Sequence, residues 1–121
     1  MPGICYDLRF PVWLRNVNQT YDLLLIVANW PERRICAWKT LLQARAIENQ
    51  CYVVGVNRIG KDGHDVYYSG DSMVIDPLGD ILYHKSHGDD IFTISLDKDH
   101  LQNIRDRFPF FRDADDFEIF I

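Results

Sequence analysis

The sequence predicts an α/β fold in which a mixed sheet combines one βαβ unit with a following series of antiparallel hairpins. Residues 23–29 and 51–56 are continuous apolar runs, which are typical of buried parallel strands. Between them, residues 31–50 carry apolar side chains at the spacing of a helix. These side chains are Ile35, Trp38, Leu42 and Ala46. After Val56, glycines separate short segments rich in Tyr, Val and Ile, and this pattern indicates antiparallel hairpins.

Composition places the chain among ordinary globular proteins. Its 121 residues correspond to one domain at most, since domains contain roughly 100 to 200 residues. Hydrophobic residues make up 47% and charged residues 26%, which suffices for a buried core and excludes a disordered tail. The formal net charge of -5 and the pI of about 5.2 exclude a uniform basic field, so we expect no nucleic-acid partner.

Cysteine usage and hydropathy indicate the compartment. The three cysteines are an odd number without a CxxC pair, so they predict neither a disulfide framework nor a thiolate zinc site. No apolar run approaches the ~18 residues of a membrane span, and no signal-like segment opens the chain. We therefore expect a cytoplasmic protein without a metal site or a membrane partner.

The first predicted element is a strand stub. Met1–Ile4 precedes Cys5, and residues 6–16 have the pattern of a turn into a helix. The strand at residues 23–29 is predicted to be covered on both faces, and such a strand cannot lie at an open apolar edge without inviting pairing. We therefore expect the chain to start inside a fold whose neighbouring strands are missing.

The βαβ unit comes next along the chain. Pro31 can occupy the first turn of the central helix, which extends to Gln50. A helix of this length must pack back across the sheet. The strands at residues 23–29 and 51–56 are therefore predicted to be parallel, with a right-handed connection.

Turn residues divide the second half of the chain into hairpins. Asp76–Asp80 is the clearest turn, since Pro77 fixes one dihedral angle and Gly79 gives freedom to another. It joins strands predicted near residues 72–75 and 81–84. The remaining predicted elements are a strand at Ile91–Leu96, a short helix from Leu101 to Phe108 and a packed tail from Phe110 to Ile121.

Cys5 is the first candidate for chemistry. A thiol between a strand stub and a helical turn lies near backbone amides, which favour the thiolate and so prepare a nucleophile. The alternative is a small buried hydrophobe, which describes most free cysteines. We assign Cys36 and Cys51 to that second class, and we interpret His84 and His87 as solvated loop histidines.

Four motifs resemble the nitrilase, or carbon-nitrogen hydrolase, superfamily. They occur in the family's order across most of residues 3–116, and the likeness is greatest to bacterial omega-amidase-type members. The first motif surrounds the cysteine, and the others follow the strand and helix pattern described above. They are Gly3–Pro11, Ala28–Pro31, Trp38 with Gln43–Gln50, and Gly70–Ser72 with Val74–Gly79, and the ending Phe108–Pro109 with Arg112–Asp115 agrees as well.

The resemblance implies a four-layer α-β-β-α sandwich. Residues 1–121 would be the C-terminal portion of a single carbon-nitrogen hydrolase domain, with the N-terminal half missing. The family uses neither a metal nor an organic cofactor, and it acts on small-molecule amides. The resemblance also implies a homodimer, whose two copies pair through helices beside the nucleophile and through the C-terminal tails.

The resemblance also assigns roles to individual residues. Cys5 would attack the amide carbonyl, release ammonia and leave a thioester, while the backbone N–H of Tyr6 would donate to the oxyanion. Asn29 and Trp30 follow a buried parallel strand at the edge where α/β sheets gather ligands, so we place them in the substrate pocket. Arg9 either meets a substrate carboxylate or forms an ion pair with Asp7 or another acid.

Two catalytic groups of the family are absent from the matching positions. Family members carry a glutamate general base and a lysine beside the oxyanion, both upstream of the cysteine, and only four residues precede Cys5 here. We therefore expect little or no amidase activity from these residues alone. The alternative is a non-catalytic remnant or interaction module that retains the fold and in which Cys5 is idle.

Overall fold

The computed structural model describes residues 1–118 and 120, and these contain six strands and two α-helices. The strands form one mixed sheet. Their bounds are β1 Pro2–Ile4, β2 Leu23–Ala28, β3 Tyr52–Asn57, β4 Ile59–Lys61, β5 Tyr67–Ile75 and β6 Ile81–Ser86. The helices are α1 Ile35–Asn49 and α2 Lys98–Arg107, and short 3₁₀ turns occupy Cys5–Arg9, Val17–Gln19, Glu32–Arg34 and Phe110–Asp113.

The sheet confirms the predicted βαβ unit. Its strand order is β1-β2-β3-β5-β4, with β6 paired to β5. The first three strands are parallel, and β5 is antiparallel to β3, β4 and β6. Ile4 lies beside Val27, and Ala28 beside Asn57. The carboxyl ends of β1, β2 and β3 therefore meet at one edge of the sheet.

Helix α1 covers one face of the sheet and forms the core with it. Gly55 of β3 permits the close approach, because a Cβ atom there would lie 2.5 Å from Leu42 Cδ1 and 2.9 Å from Trp38 Cζ2. Burial of these side chains is the main source of stability. The sheet contributes Leu24, Ile26, Val53, Met73 and Ile75 to this core, and α1 contributes Trp38, Leu42 and Ala46.

The opposite face of the sheet, called the bare face, is largely exposed along β1, β2 and β3 within the described residues, so the prediction that β2 is covered on both faces was wrong for this chain. In β2 the buried residues alternate with exposed ones, because only one helix lies against the strand. The face carries a cavity of about 430 Å³ whose lining includes Val54, Val74, Tyr83 and Phe92. Its exposed apolar residues are Ile4, Leu25, Val27 and Val56. The chain thus supplies one helical layer and one sheet layer.

The segment after Cys5 does not form the predicted α-helix. A 3₁₀ turn spans Cys5–Arg9, and Phe10 then takes an extended conformation with φ of -109° and ψ of 93°. Pro11 is the physical reason, since a proline disfavours the helical region for the residue before it. Turns at residues 11–14 and the 3₁₀ turn Val17–Gln19 complete the segment.

The strand predicted at Ile91–Leu96 is also wrong. These residues pair with no strand of the described chain, and the ring of Phe92 instead stacks on Tyr83 with the centroids 3.9 Å apart. The carboxylate of Asp90 accepts from the hydroxyl of Tyr83 and from the backbone N–H of Ile91. Side-chain contacts therefore hold the segment over β6, whereas the sequence pattern alone suggested that it pairs with a neighbouring strand through backbone hydrogen bonds.

The predicted turn at Asp76 and the predicted short helix are confirmed with shifted bounds. In the turn at Asp76, the side chain accepts from the backbone N–H groups of Leu78 and Asp80, and Gly79 has φ of 94°. Helix α2 begins earlier than predicted, at Lys98, because the Asp97 side chain caps it. No described helix is long and apolar enough to cross a membrane.

The C-terminal tail contacts the loop that follows the first 3₁₀ turn, but its described residues are all exposed, so the prediction of a packed tail was wrong for this chain. The guanidinium of Arg15 lies 5.0 Å from the ring centroid of Phe117. A groove of about 790 Å³ separates residues 11–19 from residues 110–117. The tail predicted to end at Ile121 is described only for residues 110–118 and 120, since Ile119 and Ile121 lie outside the described residues.

A buried carboxylate ties α1, β5 and β6 together. Asp71, in β5, has a side chain that is 6% exposed. One of its oxygens lies 3.0 Å from Lys39 Nζ and 2.7 Å from His84 Nε2, and the other accepts from Ser69 at 2.6 Å. Burial alone raises its pKa, but the hydrogen bonds from Ser69, His84 and Lys39 outweigh burial and lower it. His84 is thus part of a strand network, so its interpretation as a solvated loop histidine was wrong.

Replacing this carboxylate should reduce stability in a pH-dependent way. Asp71→Asn is expected to lower the free energy of unfolding by about 1–3 kcal/mol at pH 7. Because the folded-state pKa lies below the unfolded value of 3.8, the stabilisation is present above that value and is lost as the pH falls through the folded-state pKa. Urea unfolding at pH 7 and below about pH 4 measures the difference, with the exposed Asp113→Asn as control. A deficit that stays constant over this range would contradict the role.

Candidate active site

Cys5 lies at the point where β1 turns into the first 3₁₀ turn. Its backbone has φ of 42°, a left-handed conformation that non-glycine residues adopt rarely and at an energetic cost. The thiol is free and half-buried. The turn is held by the carboxylate of Asp7, which accepts from the backbone N–H of Ile4 at 2.8 Å. A sharp turn of this kind presents a side chain at the end of a strand.

The parallel ladder brings the predicted site residues to the same edge. Because Ile4 lies beside Val27, Cys5 follows at the level of Ala28, and Asn29 and Trp30 come directly after β2. Asn29 is exposed, whereas Trp30 is only 3% exposed. Cys5 therefore lies at the open ends of the parallel strands, where its partly buried side chain packs against the hydrophobic core. Neither the cavity on the bare sheet face nor the groove beside the tail is lined by Cys5.

Arg9 lies over Trp30. Its guanidinium is 5.0 Å from the centroid of the indole ring, within the range of a cation–π contact. The indole N–H donates to the backbone carbonyl of Arg34 at 2.8 Å, and the ring packs on Trp38 with the centroids 5.7 Å apart. The ion pair between Arg9 and Asp7 that the sequence suggested is absent, since the Asp7 carboxylate serves the turn instead.

The backbone N–H of Tyr6 belongs to the first turn of the 3₁₀ segment. Backbone donors in the first turn of a helix have no partner within that helix, so they remain available to a ligand oxygen. The side chain of Tyr6 is 64% exposed and meets the edge of Phe10, with the ring centroids 5.2 Å apart. The Tyr6 side chain thus faces solvent, whereas its backbone N–H comes directly after Cys5 in the chain.

The other two cysteines differ from Cys5 and from each other. Cys51 is fully buried beneath α1, and burial raises the pKa of its thiol to about 12. Cys36 is exposed on α1, so its assignment to the buried hydrophobes was wrong. It lies at the second position of the helix and does not belong to the helix face that packs on the sheet. When the reactivity of Cys5 is measured, Cys51 therefore serves as an inert reference thiol and Cys36 as an accessible one.

The acidic and basic residues of α1 serve the fold. Arg45 is buried, pairs with Glu48 at 2.8 Å, and donates to the carbonyl of Leu8 at 2.6 Å. Lys39 pairs with Asp71. Neither Glu48 nor Lys39 is thus available as a base or an oxyanion donor at Cys5.

The structure adds one residue to this edge that the sequence analysis did not single out. Asn57 is the last residue of β3 and is 7% exposed. Its carboxamide forms hydrogen bonds with both the backbone N–H and the backbone carbonyl of Trp30. The only sequence signal is a polar residue that directly follows the apolar run at residues 51–56. Its partner is 27 residues away in sequence, so that signal does not identify the contact.

Comparison with known proteins identifies the class. The sequence profile of the carbon-nitrogen hydrolase family matches residues 2–106, so the chain belongs to this family. It is omega-amidase-like. It is 50% identical over 120 residues to the omega-amidase YafV of Escherichia coli K12, and this match covers 98% of the chain and 46% of the relative. It is 40% identical over 111 residues to the 2-oxoglutaramate amidase of Bacillus subtilis, covering 91% and 42% respectively.

Solved structures agree with this assignment. XC1258 of Xanthomonas campestris, a member of the same superfamily that was solved with an arsenic adduct in its active site, has a TM-score of 0.94 and 46% identity. The match covers 98% of the chain and 47% of that protein. A mutant of the amidase from Nesterenkonia sp. AN1, in which acrylamide added to the active-site cysteine, has a TM-score of 0.72 and 27% identity, over 89% and 42% of the two chains. The chain thus spans about half the length of the relatives it matches.

Proposed function

We propose that the chain carries the nucleophile and part of the substrate pocket of an omega-amidase-like hydrolase that cleaves small carboxamides. The observation that carries this proposal is the conformation of Cys5, whose positive φ places a free thiol at the carboxyl ends of three parallel strands. Strained backbone of this kind concentrates at functional sites. The active-site cysteine of the Nesterenkonia amidase supports the same role for Cys5.

The reaction proceeds through a thioester. The thiol of Cys5 gives its proton to a general base, and the sulfur attacks the amide carbonyl carbon to form a tetrahedral intermediate. The carbon–nitrogen bond then breaks, and the nitrogen takes up a proton and leaves as ammonia. Water attacks the thioester, the carbon–sulfur bond breaks, and the carboxylic acid and the Cys5 thiol are restored.

The backbone N–H of Tyr6 stabilises the oxyanion in this scheme. The negative charge develops on the carbonyl oxygen as the sulfur attacks, and a donor next to the nucleophile is oriented before the reaction begins. The free position of this N–H in the first 3₁₀ turn supports the assignment. Because the donor is in the backbone, we expect the exposed Tyr6 side chain to tolerate substitution.

The substrate is a small amide that also carries a carboxylate, as in the amides of 2-oxo acids. Arg9 provides the positive charge, held over the Trp30 indole, and no carboxylate of the described residues pairs with it. Asn29 is exposed at the same strand end and can bond the polar groups of the substrate. The activity named for the Bacillus subtilis relative supports this substrate class.

The general base and the oxyanion lysine come from outside residues 1–121 in this proposal. The chain would be the C-terminal portion of one carbon-nitrogen hydrolase domain, and the bare sheet face would pack against the other portion. Alone, the chain would have little or no activity, since a missing general base costs roughly 10²- to 10⁴-fold in rate. We further propose a homodimer and a cytoplasmic location, where Cys5 stays reduced.

Cys5 should be the fastest of the three thiols to react with iodoacetamide near pH 7. Cys36 is the matched control, because it is more exposed than Cys5 and accessibility alone would favour it. Cys51 should react last, since it is buried and its pKa is raised. Mass spectrometry of peptides after short labelling times measures the order. Equal labelling of Cys5 and Cys36 in the folded chain would count against an activated nucleophile.

A non-catalytic interaction module is the second candidate. The bare apolar face of the sheet favours it, because exposed apolar patches commonly mark interaction sites. This candidate predicts that the thiol of Cys5 has no special reactivity, so the same labelling experiment separates the two functions.

A further inference from the structure

We infer that Asn57 is a positioning residue of the active site, which fixes Trp30 and, through it, the guanidinium of Arg9. The inference rests on the proposed function, and it adds a residue to which neither the motifs nor the comparisons assign a role. Asn57 itself is buried, so it acts on the substrate pocket only through its neighbours.

The carboxamide of Asn57 holds Trp30 by both backbone groups. Its oxygen accepts from the backbone N–H of Trp30 at 2.7 Å, and its nitrogen donates to the carbonyl of Trp30 at 3.0 Å. Two opposed hydrogen bonds to one residue fix its backbone in position and in orientation. Buried hydrogen bonds of this kind are costly to break, because each orphaned group has no access to water.

Asn57 also anchors this clamp to the antiparallel part of the sheet. The same side-chain nitrogen donates to the carbonyl of Gly70 at 2.7 Å, and the backbone N–H of Asn57 donates to Ser72 Oγ at 3.0 Å. Gly70 has φ of 78° at an irregularity of β5. A single side chain thus joins the exit of β2 to the end of β3 and to the bend of β5.

Through Trp30, the Asn57 clamp acts on the guanidinium of Arg9, the charged group of the proposed substrate pocket. Trp30 follows Asn29 just beyond the end of β2, at the edge of the sheet where Cys5 follows β1. The indole of Trp30 then supports Arg9 at 5.0 Å. If Trp30 loses its position, the guanidinium loses its support, while the turn that presents Cys5 keeps its own bonds. Loss of Asn57 should therefore weaken substrate binding more than it slows the chemical step.

Hydrogen exchange on the 121-residue chain tests the clamp without any need for activity. Asn57→Ala should speed the exchange of the Trp30 backbone amide by about tenfold or more, because its acceptor is gone. Asn57→Asp keeps an oxygen acceptor for the Trp30 N–H but replaces the donor to the carbonyls of Trp30 and Gly70 with a buried carboxylate oxygen, so it should lose the protection as well. Unchanged exchange of the Trp30 amide in Asn57→Ala would overturn the inference.

Asn49 provides the matched control. It is an equally buried asparagine, 8% exposed, that accepts from the backbone N–H of Asn16 at 2.8 Å and donates to the carbonyl of Arg45 at 3.0 Å. It ends α1 just before β3 begins, at the opposite end of that strand from Asn57. Asn49→Ala should therefore leave the exchange of the Trp30 amide unchanged, although it removes a comparable set of bonds.

Kinetics distinguish positioning from a general loss of structure. In a hybrid enzyme that joins this chain to the unmatched part of the Escherichia coli relative, Asn57→Ala should raise KM for 2-oxoglutaramate by about tenfold and change kcat less. A variant that only unfolds part of the sample lowers kcat and leaves KM unchanged, as expected for Asn49→Ala. The same pattern in Asn57→Ala would overturn the inference. A hybrid that is folded but inactive would refute the proposed function, while the exchange experiment would still decide the role of Asn57.

Discussion

A hybrid enzyme that joins the unmatched part of the Escherichia coli omega-amidase YafV ahead of Met1 is expected to hydrolyse 2-oxoglutaramate roughly 10²- to 10⁴-fold faster than the 121-residue chain. The match covers 46% of that relative, so the rest of it can supply the other portion of the domain. The proposed mechanism needs a base to deprotonate Cys5 and then to activate water. Release of ammonia from the amide measures both rates.

Three controls make this experiment decisive. The Escherichia coli portion alone should be inactive, because it lacks the segment that carries the nucleophile. The hybrid with Cys5→Ala should also be inactive, while the hybrid with Cys36→Ala should retain its rate. Comparable activity of the chain alone would show that the missing base is not needed. A folded hybrid without activity would refute the assignment of Cys5.

The bare sheet face gives the hybrid a physical basis. Ile4, Leu25, Val27 and Val56 form an apolar surface that no described residue covers fully. Burial of such a surface is worth about 25 cal/mol for each Å² removed from water. A second sheet placed on this face would therefore stabilise the chain as well as complete its site, and the hybrid should unfold at a higher urea concentration than the chain alone.

The βαβ unit was predictable because its signals are local. The apolar runs of β2 and β3 and the helical spacing of α1 all lie within one continuous segment, and a helix of this length permits only a parallel connection. The segment at Ile91–Leu96 has a similar local pattern and yet forms no strand. A strand requires a partner edge, and the stacking of Phe92 on Tyr83 places the segment elsewhere. Local pattern therefore predicts an element only where its partner is also local.

The same distinction applies to the candidate site. The position of Cys5, Asn29 and Trp30 at one edge of the sheet was predictable because each follows a strand, and parallel strands end at a common edge. The contacts of Asn57 and Arg9 with Trp30 were not, since both depend on how distant segments pack. Charge alone suggested an Arg9–Asp7 pair. It did not reveal that the turn at Cys5 already uses the Asp7 carboxylate.

Trp38→Ala is expected to destabilise the chain by about 3–5 kcal/mol, the largest stability effect of any single substitution considered. Trp38 is the largest fully buried side chain, and its ring packs on Trp30 and against Gly55. Its indole N–H donates to the carbonyl of Asp71 at 2.8 Å. The substitution thus leaves a cavity between α1 and the sheet and also an unpaired buried carbonyl.

Trp38→Phe separates the two contributions. A phenyl ring keeps most of the apolar contact with Trp30 but cannot donate to Asp71, so we expect a loss of about 1–2 kcal/mol. Urea unfolding measures both variants, and a whole domain is stable by only ~5–15 kcal/mol, so the alanine variant should be partly unfolded at a modest denaturant concentration. A deficit below about 1 kcal/mol for Trp38→Ala would mean that α1 does not form the core of the isolated chain. The equal loss of stability in both variants would instead assign the effect to the hydrogen bond, because packing is lost fully only in the alanine variant.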